Sequence, residues 1–374
     1  MILKCILLIV GFVVICLAAD WLVDGASALA KRMNVSDLII GLTIVGFGTS
    51  APELVVNITA ALNGASDIAL TNILGSNIIN TMLILGVSAL IYPIVCKKST
   101  YMYEIPMYIF STLLILFLGS NCFGLIKIGN DDGVSRIDGL ILLVCFAGFM
   151  YYSLYQAMKS RKKEKSIAVT TGNKESEGDK SVEITSKDDT CIVTQTDNSG
   201  VSRENTHDNA DTKEVNTKSD NPADPMSVLK ALIFIVVGLV GLVVGGRLIV
   251  DNAVFIAEYL GVRQSVIGIT IVALGTSLPE LATSVVAAIK KNTDLAIGNV
   301  IGSNLFNIFF VVGISATISP LHFYDGFLLD AGMNVLSGIL LLIFMFTKRD
   351  ISRYEGLSLL IIFGIYMYYL LINA

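Results

Sequence analysis

Two glutamates interrupt stretches that are otherwise apolar and helix-like. Glu53 lies in "GLTIVGFGTSAPELVVN" (41–57) and Glu280 in "GITIVALGTSLPELATS" (268–284). In each stretch a proline precedes the acid. Pro52 removes a backbone donor and clashes with the turn before it, so the helix must break or kink near Gly48 to Ser50. The freed carbonyls need partners, because lipid offers none. Thr49 and Ser50 place hydroxyls at the break, and Glu53 adds a carboxylate one turn on. Carbonyl, hydroxyl and carboxylate oxygens converging on one point are hard ligands suited to Na⁺ or Ca²⁺.

A second motif follows each of the first. "NILGSNIIN" (Asn72 to Asn80) recurs as "NVIGSNLFN" (Asn299 to Asn307). Ser76 and Asn80 are one helical turn apart on the same face, as are Ser303 and Asn307. Gly75 and Gly302 allow close helix contact, in the small-residue manner of membrane interfaces. Amide-rich helices also serve as interhelical glue. Asn77 and Asn304 fit that role as well as they fit ligation, whereas Ser76, Asn80, Ser303 and Asn307 read as ligands beside the glutamate motif. A single intramembrane glutamate can be paired or can snorkel to the interface. Glu53, however, is about 16 residues into its segment, roughly 24 Å at the helical rise. Burial at that depth costs several kcal/mol, and Glu280 repeats it.

These residues need a framework of membrane helices. Of 374 residues, 54% are hydrophobic and 15% charged, with mean hydropathy +0.72. Soluble domains carry about 25% charged residues, so the class expected is an all-α polytopic membrane protein. Apolar segments long enough to span a bilayer fall near 3–30, 37–63, 67–93, 103–122 and 136–157. Five more fall near 227–257, 264–289, 294–320, 326–347 and 355–373. The polar stretch between, 158–226, is rich in Lys, Glu, Asp, Ser, Thr and Asn. It cannot bury enough apolar surface to fold, so a disordered loop is expected there. The domains are then a first five-helix repeat (1–157), the loop (158–226) and a second repeat (227–374).

Gly41 to Gly86 aligns without a gap on Gly268 to Gly313, with roughly 20 of the 46 positions identical. The same offset carries Asp24 to Asp251, Val35 to Val262 and Pro93 to Pro320. An odd number of helices per copy makes the second copy enter the membrane from the opposite side. Inverted repeats of this kind are a recurrent plan of secondary transporters, with the site at the midplane where the repeats meet. Lys31, Arg32, Lys97, Lys98 and the "KSRKKEK" run (159–165) then share one side with Lys290, Lys291, Lys348, Arg349 and Arg353. By the positive-inside rule that side is cytoplasmic, with the loop inside and both termini outside.

Other chemistry has little footing. The net charge of -5 reflects acid concentrated in the polar stretch and implies no charged face. Cys5, Cys16, Cys96, Cys122, Cys145 and Cys191 are scattered singly and read as small apolar fillers. His207 and His322 form no metal or nucleophile constellation, and no P-loop appears. No cofactor, nucleic-acid partner or enzyme activity is expected. The first segment could be a signal peptide, but Asp20, Trp21 and Asp24 replace the small residues of a cleavage site, so a retained helix is expected. Asp20, Asp24 and Asp251 are expected to reach the interface.

The paired "GTSxPE" and "GSNxxN" motifs resemble the α-repeats of the cation/calcium exchanger superfamily, and most closely its sodium/calcium exchanger branch. That resemblance implies four cation positions around two shared glutamates. Glu53 and Glu280 would bind Ca²⁺ with the main-chain oxygens of Thr49 and Thr276. Na⁺ would use Ser50, Ser76, Ala273, Ser277 and Ser303 with the same glutamates, and Asn80 and Asn307 would line the middle. The first and sixth helices resemble the family's long, tilted gating pair. Several members, including potassium-dependent ones, carry Asp where this chain has Asn307. Asn there leaves two central carboxylates, which argues against K⁺ co-transport and bears on the third Na⁺ of the usual ratio. The Ca²⁺/H⁺ branch tends to carry "GNxxE", absent here. The expected function is a secondary antiporter in the plasma or inner membrane, exchanging Na⁺ for Ca²⁺. Ca²⁺/H⁺ exchange on the same fold is the nearest alternative, and a cation channel and a non-transporting sensor are more distant ones.

Overall fold

Apolar runs become helices here because a helix satisfies its own backbone groups inside lipid. The computed structural model describes residues 2–120, 133–172, 184–187, 190–193, 226–261 and 273–373. Helix α1 (Ile2–Met33) is followed by α2 (Asp37–Thr49) and α3 (Ala51–Leu62), which together make one span bent by 47°. Then come α4 (Ile68–Ile91), α5 (Thr100–Gly119) and α6 (Arg136–Gly172). The second copy holds α7 (Val228–Tyr259), α8 (Ala273–Thr276), α9 (Leu278–Ile289), α10 (Thr293–Ile318), α11 (Phe327–Lys348) and α12 (Arg353–Asn373). Among the described residues eight helices are long and apolar enough to cross a membrane, and the bent pair makes a ninth span. The remaining expected segment, the seventh in chain order (264–289), is described from Ala273 onward.

Residues up to Arg161 and from Met226 form one compact unit, and Lys162–Pro225 a second. The expected end of the fifth segment near 157 is passed, since α6 continues to Gly172. Its Lys-, Arg- and Glu-rich extension favours helix by propensity. The second unit also holds a small antiparallel hairpin, β3 (Ile184–Lys187) with β4 (Thr190–Val193), pairing Ile184 with Val193. Most of the stretch read as a disordered loop lies outside the described residues.

Within the first unit, α4 and α10 are central: 78% and 94% of their apolar windows are buried, against 22–39% for the long outer helices. Helices α1 and α7, each 32 residues, pack along one another. A Cβ on Gly25 would lie 2.8 Å from the Ala231 carbonyl oxygen, and one on Gly238 would lie 2.8 Å from that of Ala18. Small residues thus bring the two backbones together. At about 48 Å each exceeds the ~30 Å hydrocarbon core, so both tilt or project.

The strict repeat read from the sequence stops at Pro93 and Pro320, but the contacts carry it further. Short strands β1 (Ile94–Val95) and β6 (Asp350–Ile351) pair antiparallel, as do β2 (Gly133–Val134) and β5 (Leu321–His322). Arg136 donates to the Ile318 carbonyl at 3.4 Å, and Arg353 to its counterpart Ile91 at 3.5 Å. Reciprocal capping boxes start α6 and α12: Ser135 with Asp138, and Ser352 with Glu355. "SRIDGL" (135–140) and "SRYEGL" (352–357) are therefore the same element in both copies. Their offset differs from that of the core because the intervening loop is shorter in the second half.

Candidate ion-binding site

Ser50 leaves helical geometry at φ -83°, ψ 10°, and Ser277 matches it at φ -89°, ψ 5°. Pro52 and Pro279 each stand in the first turn of the following helix, where a missing N–H is tolerated. Backbone bonds from Ser50 N–H to Gly46 O and from Leu54 N–H to Ser50 O cross the first break. Pro52 has no N–H with which to continue the ladder across it. Glu53 and Glu280 fall in the first turns of α3 and α9, at the helix end whose dipole favours negative charge.

The two glutamates are fully buried and close enough for their charges to interact. The Ser50 hydroxyl donates to Glu280 Oε1 at 2.9 Å, and Ser303 to the same oxygen at 3.4 Å. Ser303 also reaches the Gly46 carbonyl at 3.1 Å. Thr49 donates to Asn299 Oδ1 at 3.1 Å and lies 3.4 Å from Ser303 Oγ. On the other side of the pseudo-dyad, Ser76 and Thr276 stand beside the Glu53 carboxylate. Their hydroxyls are 3.5 Å apart.

Asn80 and Asn307 lie in widened π-helical turns, Ile79–Ile84 and Asn307–Val312, a device frequent at functional sites. Asn80 Nδ2 donates to Asn304 Oδ1 at 3.0 Å, and Asn307 Nδ2 to Asn77 Oδ1 at 3.1 Å. The four amides thus form a two-fold pattern. Within it Asn304 accepts from Asn80 and Asn77 accepts from Asn307, the contacts expected of residues that hold the helix geometry.

The structure brings Thr49, Ser50, Glu53, Ser76, Asn80, Ser277, Glu280, Ser303 and Asn307 together, each at most 1% exposed. Thr276 is half-buried beside them. Ala273 opens α8, and its side chain is outside the described set. Both oxygens of Glu53, Glu280 Oε2, Asn80 Oδ1, Asn307 Oδ1 and Ser277 Oγ have no hydrogen-bond partner among the described residues. Buried polar atoms are normally satisfied, so unpartnered oxygens on both carboxylates and on three of the residues read as their fellow ligands fit a hard cation. No His/Cys/Asp/Glu trio that could hold a metal occurs among the described residues.

Asn299 was not singled out from the sequence, yet it ties the site together. Its Nδ2 donates to Ser284 Oγ at 2.9 Å and to the Glu280 carbonyl at 3.4 Å, while its Oδ1 accepts from Thr49. The repetition of Asn72 at this position was the available signal.

The aspartates on the long helices do more than reach an interface. Lys290, just beyond α9, pairs with Asp20 and Asp24 of α1, both at 2.6 Å. Their α7 counterparts are Arg247 and Asp251. These line a cavity of about 220 Å³ with Pro52, Thr276 and Pro279 of the site region. One face of the α1/α7 pair is clamped to the core and the other borders an opening. Part-exposed ion pairs contribute about 0.2–1 kcal/mol. Lys290→Ala should therefore shift the balance between open and closed forms of this cavity by about 1.4- to fivefold. Slower labelling of Val243→Cys, on the cavity wall, by a membrane-impermeant thiol reagent is the expected readout. Unchanged labelling would show that the clamp holds nothing.

A family model described as sodium/calcium exchanger protein matches residues 3–155 and 230–372. The sodium/calcium exchanger MaX1 of Methanosarcina acetivorans is 30% identical, covering 96% of this chain and 95% of its own length. The inner membrane protein YrbG of Escherichia coli is 32% identical over 86% of this chain and 81% of its own. A solved structure of the sodium-calcium exchanger NCX_Mj, soaked with Na⁺ and Sr²⁺, superposes with TM-score 0.71 at 27% identity, covering 100% of this chain and 98% of that one.

Proposed function

This chain belongs to the sodium/calcium exchanger protein family, and from that premise we propose that it exchanges Na⁺ for Ca²⁺ by alternating access. The observation that carries this reading is the pair of buried glutamates surrounded by unpartnered oxygens. Two carboxylates carry about -2, which balances one Ca²⁺ or two Na⁺. Either ion set neutralises the site and lets it close, whereas the empty, doubly charged site resists crossing. Obligatory exchange follows, because each ion set stabilises states the empty protein disfavours.

Glu53 and Glu280 are the shared ligands in this reading. The main-chain oxygens of Thr49 and Thr276 join them for Ca²⁺. Ser50, Ser76, Ser277, Ser303 and the Ala273 carbonyl join them for Na⁺, and Asn80 and Asn307 line the middle. The helices α1 and α7 slide against the core to move access from one face to the other. By the distribution of Lys and Arg, the face clamped by Lys290 is cytoplasmic and the cavity beside Asp251 is external. The 158–226 stretch is then cytoplasmic and the membrane is the plasma or inner membrane.

Flux in proteoliposomes with Na⁺, K⁺ and pH gradients varied one at a time tests the coupling ion. Ca²⁺ uptake should follow an outward Na⁺ gradient and ignore K⁺ and pH gradients. Uptake that follows the pH gradient and ignores Na⁺ would replace this reading with Ca²⁺/H⁺ exchange.

A further inference from the structure

The central amides can bind a cation only if their oxygens, rather than their NH₂ groups, face it. An asparagine side chain is nearly symmetric in shape, so its partners must set the choice. For Asn80 those partners form a chain running away from the ion site into α5 and α11.

The chain starts where direction is unambiguous. Asn334 Nδ2 donates to two backbone carbonyls, Leu74 at 3.0 Å and Asp330 at 3.1 Å. A carbonyl can only accept, so Asn334 Oδ1 must be the acceptor for the Tyr108 hydroxyl, 2.8 Å away. Ser337, 3.1 Å from the same hydroxyl, spends its proton on the Asn334 carbonyl at 2.7 Å. Tyr108 has one proton, and either neighbour consumes it. Its oxygen must therefore accept from Thr81 Oγ1 at 3.4 Å. Thr81, its proton used, must accept from Asn304 Nδ2 at 2.8 Å. That leaves Asn304 Oδ1 to accept from Asn80 Nδ2 at 3.0 Å. Asn80 Oδ1 is left buried and unpartnered among the described residues.

The other arm is short. Asn77 Nδ2 donates directly to the Asn304 backbone carbonyl at 3.3 Å, so its Oδ1 accepts from Asn307 and leaves Asn307 Oδ1 unpartnered. The two-fold repeat breaks at this point: the counterpart of Thr81 is Ile308, which can neither donate nor accept. Every member of the long arm, Thr81, Tyr108, Asn304, Asn334 and Ser337, is fully buried, out of reach of bulk solvent.

We propose that Tyr108, acting through Thr81 and Asn304, is a positioning residue that keeps the Asn80 carbonyl oxygen turned toward the transported cation. This rests on the reading that the central oxygens bind the exchanged ions. Without the tyrosine hydroxyl, Thr81 is free to donate to Asn304, whose amide then turns over. Asn80 follows and presents NH₂ to the ion.

The test measures Ca²⁺ half-saturation and maximal rate of Na⁺-driven flux in proteoliposomes for Tyr108→Phe. The expected result is a roughly tenfold rise in half-saturation with the maximal rate within about twofold, since one ligand is lost while the moving parts are untouched. Thr81→Val should do the same and Thr81→Ser, which keeps the hydroxyl, should not. In an Asn80→Asp background position 80 has no NH₂ to present, so adding Tyr108→Phe should leave half-saturation where Asn80→Asp set it. An equal penalty in both backgrounds would overturn the proposal in favour of a packing role, as would an unchanged half-saturation in both Tyr108→Phe and Thr81→Val. If Tyr108→Phe does not reconstitute, the Thr81→Val and Thr81→Ser pair decides by the same criterion. Wild-type vesicles showing no Na⁺-driven Ca²⁺ flux would count against the exchange reading itself, a result distinct from any of these.

Discussion

Glu53→Gln or Glu280→Gln is expected to abolish Na⁺-gradient-driven Ca²⁺ uptake, with at least a hundredfold loss. Gln keeps the size and hydrogen-bonding capacity but leaves a single negative charge facing a divalent ion. At about 4 Å and an effective dielectric of 20 a unit charge is worth about 4 kcal/mol to a monovalent ion and about twice that to a divalent one; the smaller figure is already close to three decades in affinity. Both glutamates are fully buried, so solvent cannot replace the lost charge. In the shared-site proposal the same carboxylates serve Na⁺, so each variant should also lose Na⁺/Na⁺ exchange. Reconstituted vesicles with radiolabelled Ca²⁺ and Na⁺ provide the measurement. A variant retaining more than a tenth of wild-type Ca²⁺ flux would sink the shared-site model.

Gly302→Val should be nearly as damaging for a different reason. A Cβ at Gly302 would lie 2.6 Å from the Leu42 carbonyl oxygen and 2.7 Å from its Cα. One turn earlier, a Cβ at Gly298 would lie 2.6 Å from the Leu38 carbonyl oxygen. Backbone cannot swing aside as a long side chain can, so α2 and α10 must separate. Overpacking of this kind costs about 1–3 kcal/mol and sometimes more. The seam also carries the Thr49–Asn299 and Ser303–Gly46 bonds, so separation opens the ion site with it. The expected outcome is a thermal midpoint in detergent lowered by several degrees together with flux below a tenth of wild type. A variant with wild-type stability and flux would show that the seam tolerates more space than its geometry allows.

Much of this architecture was legible in the residues. Pro52 and Pro279 announced broken helices because proline withholds an N–H, and each break falls where expected, at Ser50 and Ser277. Glu53 and Glu280 pointed to a candidate site because burying a carboxylate that deep in an apolar segment is costly and it occurs twice, and both are fully buried. "SRIDGL" and "SRYEGL" were equally readable, but a shift of register between the copies hid their kinship.

Other features were not legible, because they depend on which side chains meet. Lys290 reads from sequence as one more basic residue at a helix end; its pairing with Asp20 and Asp24 depends on how α1 lies against the core. Thr81 and Tyr108 are ordinary helix residues until α4 and α5 pack. Spacing singled out Asn80 and Asn307 beside Ser76 and Ser303, but only packing shows that Asn304 and Asn77 accept hydrogen bonds from them.

The sequence by itself determined the membrane class, the doubled motifs and the oxygen chemistry of the site, since each follows from local composition, periodicity and the cost of burying charge. Tertiary structure alone decided the direction of the hydrogen bonds that run from Asn334 to Asn80 and which face of the long helix pair is clamped. Hydrogen-bond polarity and ion pairing between helices are properties of contacts, and residues more than two hundred positions apart acquire them when the two copies pack together.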